Sequence, residues 1–149
     1  MKECRLVYKS TATSELLSSS YNLLRLTKHA EDNNQKLNIT GLLLISGNQF
    51  IQVLEGPVKE VNQLFVSIIK DERHYDVSLI DYEVIVSRYF QNWRMRLVDL
   101  SDLFMESRSH FIKSYKHQDE IILIPDELHK AYALLLDTKT YCVNQPWNR

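Results

Sequence analysis

Five short stretches of the chain carry the apolar patterning of β-strands, either as a period-two alternation or as a continuous apolar run. They are residues 5–8, 39–45, 49–54, 77–86 and 93–97. The turn-forming sequence Ser46-Gly47-Asn48 separates the second stretch from the third, so we expect these two strands to form a hairpin. In the fourth stretch the alternation places Ile80, Tyr82, Val84 and Val86 on one face.

Two amphipathic helices are predicted between the strands. The first begins at Ser14 and runs to about Asn33. One stripe of this helix consists of Leu16, Leu23, Ala30 and, four residues later, Asn34. The second helix follows Pro57, a residue suited to a first helical turn, and ends near Asp71.

The resulting order, β-α-β-β-α-β-β, predicts an α+β fold of the ferredoxin-like type, with one added strand and two helices on one face. The pattern changes after residue 100. Ser101-Asp102 is typical of a helix cap, and Pro125-Asp126 of the start of a further helix. We therefore expect a first domain over residues 1–99, and a helical extension over 100–149 that packs on it.

Composition and net charge reduce the number of function classes that fit the chain. The net charge of −1 over 149 residues offers no broad electrostatic footprint for nucleic acid or for a membrane. No signal peptide or membrane-length apolar run is present, and Cys4 and Cys142 have the spacing of two unpaired thiols. These features predict a cytoplasmic protein.

Three polar residues interrupt apolar faces. Gln52 lies between Phe50 and Leu54 on one face of its strand, and Tyr8 shares a face with an apolar neighbour in the first strand. Each alone is typical of a buried polar side chain with a local partner, and Asn34 of a helix cap. Together, three neutral hydrogen-bonding groups suit a planar ligand with amide-like edges. No charged general base accompanies them, which favours binding or redox switching over hydrolysis.

The blocks that contain these residues resemble a known family. Tyr8, the segment from Asn33-Asn34 to Ile39-Thr40-Gly41-Leu42-Leu43, and Gln49-Phe50-Ile51-Gln52-Val53-Leu54-Glu55-Gly56 closely resemble BLUF domains, the sensors of blue light using flavin. Asp71-Glu72-Arg73-His74 and Asn92-Trp93-Arg94-Met95 extend the resemblance, which covers about residues 3–99.

The resemblance implies a blue-light photoreceptor and a role for each polar residue. Tyr8 would donate an electron, coupled to a proton, to the excited flavin. Gln52 would bridge Tyr8 and the flavin N5/O4 edge and then rearrange its amide, while Asn34 would hold the O4/N3 edge. Either Met95 or Trp93 would lie next to Gln52 and report its state, and the sequence leaves open which.

The resemblance also implies the surroundings of the flavin, whose ring would lie between the two helices. The expected cofactor-binding residues, besides Asn34, are Asn33, Leu26, Ala30, Ile68, Asp71, Arg73 and His74. Ser67 stands where some members carry an arginine that meets the flavin phosphates. FAD is the expected cofactor, and FMN or riboflavin remains open.

The sequence says less about how the sensor would pass on its signal. No cyclase, phosphodiesterase or DNA-binding motif follows residue 100, so we expect a sensor that is not itself an enzyme. Its signal would pass to a separate signalling protein or through a change of oligomer, a dimer or larger. The apolar run 121–124 is either a contact surface or part of the core.

Three other functions are compatible with the same fold. An RNA-recognition or other ligand-binding module would need exposed aromatic residues, such as Tyr8 and Phe50, on central strands within a basic surface. A hydrolase of the acylphosphatase type would need a glycine-rich phosphate loop followed by an arginine, which the sequence lacks. A metal-binding protein would need ligands at suitable spacing, and the five histidines show no pair at i, i+3 or i, i+4.

Overall fold

A computed structural model of the chain describes residues 1–19, 22, 25, 26, 28, 32 and 34–142. Its five main strands form one mixed sheet in the order β4-β1-β3-β2-β5. They are β1 (Glu3–Ala12), β2 (Thr40–Ser46), β3 (Gln49–Pro57), β4 (His74–Ile85) and β5 (Arg94–Asp99). Neighbouring strands are antiparallel except β2 and β5, which are parallel. The five strands and the α+β class predicted from the sequence are confirmed.

The first predicted helix is interrupted. Helix α1 (Ser14–Leu17) has a single turn, and the backbone N–H of its C-cap residue Ser18 donates to the Glu15 carbonyl. The Ser18 hydroxyl donates to the same carbonyl at 2.7 Å. This competition for a backbone acceptor is the reason serine disfavours a continuing helix. The described residues between 22 and 36 are again helical, and we call them the 22–36 segment. The prediction of one continuous helix over 14–33 was therefore wrong, and its stripe residues Leu23 and Ala30 lie outside the described residues.

The second predicted helix is present as α2 (Val58–Lys70), directly after Pro57. It covers the face of the sheet that carries Leu6, Tyr8 and Leu54. We call the apolar core on this side the front cluster. Its buried members are Cys4, Leu6, Tyr8, Ala12, Leu16, Ile39, Leu43, Ile45, Phe50, Leu54, Val61 and Met95.

Residues 100–142 cover the opposite face of the sheet. They contain a 3₁₀ turn (Leu100–Asp102), α3 (Met105–Ser114), the short strands β6 (His117–Gln118) and β7 (Ile121–Ile122), and α4 (Leu128–Cys142). The predicted cap at Ser101-Asp102 is this 3₁₀ turn instead, and the helix expected from Pro125-Asp126 begins three residues later. None of the helices within the described residues is long and apolar enough to cross a membrane.

These C-terminal elements pack with sheet residues into a second core, the back cluster. Its buried members are Val7, Leu42, Leu44, Ile51, Val53, Phe90, Trp93, Val98, Leu100, Phe111, Ile122, Ile124, Ala131, Leu134, Leu135 and Cys142. The three central strands are thus buried on both faces. Within the apolar run 121–124, Ile122 and Ile124 are buried while Ile121 and Leu123 are exposed.

Strand β4 lies at the edge of the sheet and departs from the predicted alternation. Its register with β1 shifts between Val7 and Tyr8, which face Asp81 and Leu79, so Ile80 is the extra residue of a β-bulge. As a consequence Ile80 packs against the back cluster, whereas Tyr82 bonds to Asn62 on α2. The expectation that Ile80 shares a face with Tyr82 was therefore wrong.

Candidate functional site

A cavity of about 460 Å³ lies on the front face of the sheet, between α2 and the 22–36 segment. This volume falls within the range of small-molecule sites. Apolar side chains form most of its wall: Leu16, Leu26, Leu37, Leu43, Phe50, Leu64 and Ile68. Its polar lining consists of Tyr8, Asn34, Lys36, Gln52, Gln63, Ser67, Asp71, Arg73 and His74.

Tyr8 and Gln52 meet at the floor of this cavity. Antiparallel pairing of β1 with β3 sets the two residues directly opposite each other, and the Tyr8 hydroxyl donates to Gln52 Oε1. Both side chains are buried, with 3% and 5% of their surface exposed. Burial raises the pKa of Tyr8 far above its usual value, and the negative charge of Asp71 raises it further. The phenol is therefore neutral and holds its proton toward the Gln52 oxygen.

The other end of the Gln52 amide meets Met95. Gln52 Nε2 donates to Met95 Sδ at 3.0 Å, and Met95 is 1% exposed. The β2–β5 register shifts between Gly41, which faces Arg94, and Leu42, which faces Arg96. Met95 is thus the extra residue of a bulge, and its φ of 56° lies in the left-handed region. That conformation turns its side chain onto the front face.

Trp93, the other residue considered for this position, lies on the opposite side of the sheet. It belongs to the back cluster and packs edge-on against Phe90, with ring centroids 6.4 Å apart. The structure therefore brings Met95 to Gln52, and it does not bring Trp93 there.

Asn34 lines the cavity from the 22–36 segment. Its side chain is 2% exposed, and its backbone carbonyl accepts from Ile39 N–H at 2.9 Å. Its side-chain amide carries one donor group and one acceptor group. These two groups suit the edge of a ligand on which an acceptor lies beside a donor. Leu26 and Ile68 line the cavity as predicted, whereas Ala30 and Asn33 lie outside the described residues.

Asp71, Arg73 and His74 meet at the rim where α2 ends. Arg73 donates to both carboxylate oxygens of Asp71, and this hydrogen bonding holds the pKa of Asp71 below its usual value. His74 Nε2 donates to the Ile68 carbonyl at 2.6 Å, so its Nδ1 can accept from the Ser10 hydroxyl, 2.8 Å away. The His74 ring stands edge-on to Tyr8 at 6.2 Å.

Sequence reasoning missed several lining residues. Leu43 faces Gln52 directly across the β2–β3 hairpin, and Phe50 precedes Gln52 by two residues on the same face. Both positions follow from the turn at residues 46–48 once the register is counted outward. The role of Ser10 as a partner of His74 had no signal, because the two residues are 64 positions apart.

The described structure removes the basis of the RNA-recognition alternative. Tyr8 and Phe50 are each 3% exposed, so they cannot serve as the exposed aromatic platform of an RNA-recognition domain. Over the described parts of the chain, no three His, Cys, Asp or Glu side chains come together as candidate metal ligands.

Known proteins resemble the chain in both sequence and fold. Over 71 residues it is 35% identical to the blue light- and temperature-regulated antirepressor BluF of Escherichia coli K12, covering 48% of this chain and 18% of that protein. Over 91 residues it is 35% identical to the photoactivated adenylate cyclase subunit beta of Euglena longa, covering 60% and 10%. The chain therefore spans less than a fifth of each of these relatives.

Solved structures of light-regulated proteins have a similar fold. The photo-activated state of BlsA superposes with a TM-score of 0.68 at 27% identity, covering 90% of this chain and 94% of that one. A bacterial light-regulated adenylyl cyclase gives a TM-score of 0.65 at 36% identity, covering 68% and 29%. Residues 4–96 match the family described as BLUF, sensors of blue light using FAD. The chain therefore belongs to the BLUF family, whose domain is a flavin-based sensor of blue light.

Proposed function

We propose that this protein is a blue-light photoreceptor in which Tyr8 and Gln52 form the switch beside a flavin held in the front cavity. The observation that carries the proposal is the continuous hydrogen-bonded chain from Tyr8 through Gln52 to Met95 along the floor of that cavity. Its groups are neutral, buried and aligned, and the amide in the middle is both donor and acceptor.

The cavity fits a flavin ring. Two apolar walls, one from α2 and one from the 22–36 segment, suit the faces of a flat aromatic system. The Asn34 amide offers a donor and an acceptor to the O4/N3 edge of that ring. Met95 would contact the amide nitrogen of Gln52, as it does in the structure.

The bound flavin supplies absorption of blue light and, when excited, accepts an electron. Tyr8 is the residue that would give up an electron together with its phenolic proton, and Gln52 is the residue whose amide would rearrange. Each neutral hydrogen bond contributes only about 0.5–1.5 kcal/mol. The resting and rearranged arrangements of Gln52 therefore differ little in free energy, as a thermally reversible switch requires.

We propose FAD as the cofactor, in preference to FMN or riboflavin. A second cavity of about 790 Å³ shares Leu16 and Arg73 with the first, and its charged lining also includes Arg25, Lys28, Glu15, Asp32 and Glu72. Within this lining of mixed charge, we assign Lys28 as the residue that would meet the phosphates of an FAD tail. Ser67 lies at the first cavity with its hydroxyl bonded to Gln63, so the arginine of some relatives has no equivalent at that position.

We assign sensing to residues 1–99 and output to residues 100–149. The described residues of the second part, 100–142, cover the back face of the sheet, directly behind β5 and β3. We propose a cytoplasmic protein without catalytic activity of its own, which signals to a separate protein or through a change of oligomer. Light scattering of dark and illuminated samples distinguishes these outputs, because an unchanged mass favours a separate partner.

Absorption spectroscopy tests the switch. Purified protein should be yellow, and blue light should shift its flavin band to longer wavelength reversibly. The shift should disappear in Tyr8→Phe and in Gln52→Ala, with flavin content retained. A colourless protein that refuses added flavin overturns the proposal, and a normal shift in both variants overturns the assignment of the switch pair.

A further inference from the structure

Glu55 is a carboxylate with no exposed surface on the strand that carries Gln52. The two residues are three positions apart, so they project to opposite faces of β3. Glu55 therefore lies outside the flavin cavity, at the back of the sheet. Arg5, 3% exposed, faces it across the β1–β3 pairing and donates from Nε at 2.9 Å.

The rest of the Glu55 carboxylate holds a turn. The backbone N–H of Tyr89 donates to Oε2 at 2.9 Å, and that of Phe90 donates to Oε1 at 2.6 Å. The turn then closes through a hydrogen bond from Trp93 N–H to the Phe90 carbonyl at 3.0 Å. Three donors thus share two oxygens of one buried charge, an arrangement of strong hydrogen bonds.

This turn leads directly into Met95. Gly41 N–H donates to the Trp93 carbonyl at 2.8 Å, which joins the end of the turn to β2 just before the bulge. Met95 then adopts its positive φ and meets Gln52. A non-glycine residue in that conformation persists only where the surrounding structure holds it. The turn that the Glu55 carboxylate binds ends two residues before Met95.

We propose that Glu55 is a positioning residue of the switch: by anchoring the Tyr89–Phe90 turn it fixes the Met95 thioether against the Gln52 amide. This inference rests on the proposed function for its effect on light recovery, and on geometry alone for its effect on Met95. A second attachment reaches the same turn from α4, where Lys139 Nζ donates to the Tyr89 carbonyl. The anchored turn is therefore also the place where a movement of Met95 would be felt by the C-terminal helix.

Glu55→Gln tests the proposal, because an amide offers one oxygen to three donors that now share two. With Met95 less firmly held, the Gln52 amide should return more easily to its dark arrangement. We therefore expect the illuminated protein to recover its dark absorption spectrum about three- to tenfold faster. That range corresponds to roughly 0.7–1.4 kcal/mol off the barrier. Met95→Ala should accelerate recovery similarly, and the double variant should recover no faster than Met95→Ala alone.

Glu83→Gln is the matched control. Glu83 is the other carboxylate partner of Arg5, at 2.7 Å, and its side chain is half exposed. The substitution makes the same chemical change on the same arginine without touching the turn, so recovery should match the unsubstituted protein. If Glu55→Gln does not fold, Glu55→Asp keeps the charge beside Arg5 but is too short to reach both backbone donors.

A second readout needs no photochemistry. The chain has three methionines, and Met1 and Met105 are exposed, so the ε-methyl NMR signal of buried Met95 is readily distinguished. In dark protein, Glu55→Gln or Glu55→Asp should shift that signal and Glu83→Gln should not. An unmoved Met95 signal, or an effect on recovery that adds fully to that of Met95→Ala, overturns the proposal. A shifted signal without any light response would instead refute the photoreceptor function and leave the positioning role standing.

Discussion

The hydrogen bond between Tyr8 and Gln52 should be measurable as a stability term, independently of light. Tyr8→Phe removes the hydroxyl and leaves Gln52 Oε1 buried without its donor. An unsatisfied buried polar atom costs about 1–3 kcal/mol. For a domain of this size each kcal/mol lowers Tm by about 2–4 °C, so we expect a decrease of about 2–12 °C.

A double-mutant cycle isolates the pairwise contribution. Gln52→Leu alone leaves the Tyr8 hydroxyl unpaired, whereas Tyr8→Phe with Gln52→Leu leaves neither group unpaired. Replacing both partners by apolar groups of similar shape is often nearly neutral. The double variant should therefore be more stable than the sum of the single effects predicts, by about 1–3 kcal/mol.

Urea denaturation of flavin-free protein, followed by far-UV circular dichroism, provides the free energies of unfolding. Tyr75→Phe serves as the control, because Tyr75 is 51% exposed and its substitution should cost less than about 0.5 kcal/mol. The reasoning fails if Tyr8→Phe is no more destabilising than this control, or if the two single effects add.

Three further predictions concern other parts of the site. A Cβ at Gly41 would lie 1.9 Å from the Val53 carbonyl oxygen, so Gly41→Ala should force β2 from β3 and lower stability by at least about 1–3 kcal/mol, measured by urea denaturation. The depressed pKa of Asp71 means that its bonding to Arg73 stabilises the fold above the unfolded pKa near 4 and is lost as pH falls below it. Asp71→Asn should therefore show a shallower loss of stability between about pH 5 and 3. Lys28→Met should weaken FAD binding by about two- to fivefold, the size of an exposed ion pair, and leave riboflavin binding unchanged in a fluorescence titration.

The two-faced burial of the central strands has a consequence for signalling. Gln52 and Met95 belong to the front face, while Glu55, Phe90 and Trp93 belong to the back. Strand β3 carries Gln52 on the front and Glu55 on the back, and β5 carries Met95 on the front and Val98 on the back. A change on the flavin side can therefore reach the C-terminal helices through displacement of the strands themselves, without a side chain that crosses the sheet.

The local order of the chain was determined by sequence alone. Period-two alternation and turn residues depend on neighbours only a few positions away, so the five strands and the hairpin at 46–48 could be predicted. The same alternation showed that Gln52 and Tyr8 lie on apolar faces. Their family blocks identified the flavin. The serines after Leu17 are a local signal for the break as well, and the prediction from the apolar stripe did not use it.

Only the tertiary structure decided which residues meet. Tyr8 and Gln52 are 44 positions apart, and their pairing depends on the β1–β3 register, which neither strand encodes by itself. The choice of Met95 over Trp93 depends on a bulge in which one residue takes a positive φ, and that bulge is held by a parallel strand and by a turn anchored on Glu55. Such a conformation is unfavourable locally and exists because the surrounding contacts impose it, so a reading of neighbouring residues could not predict it.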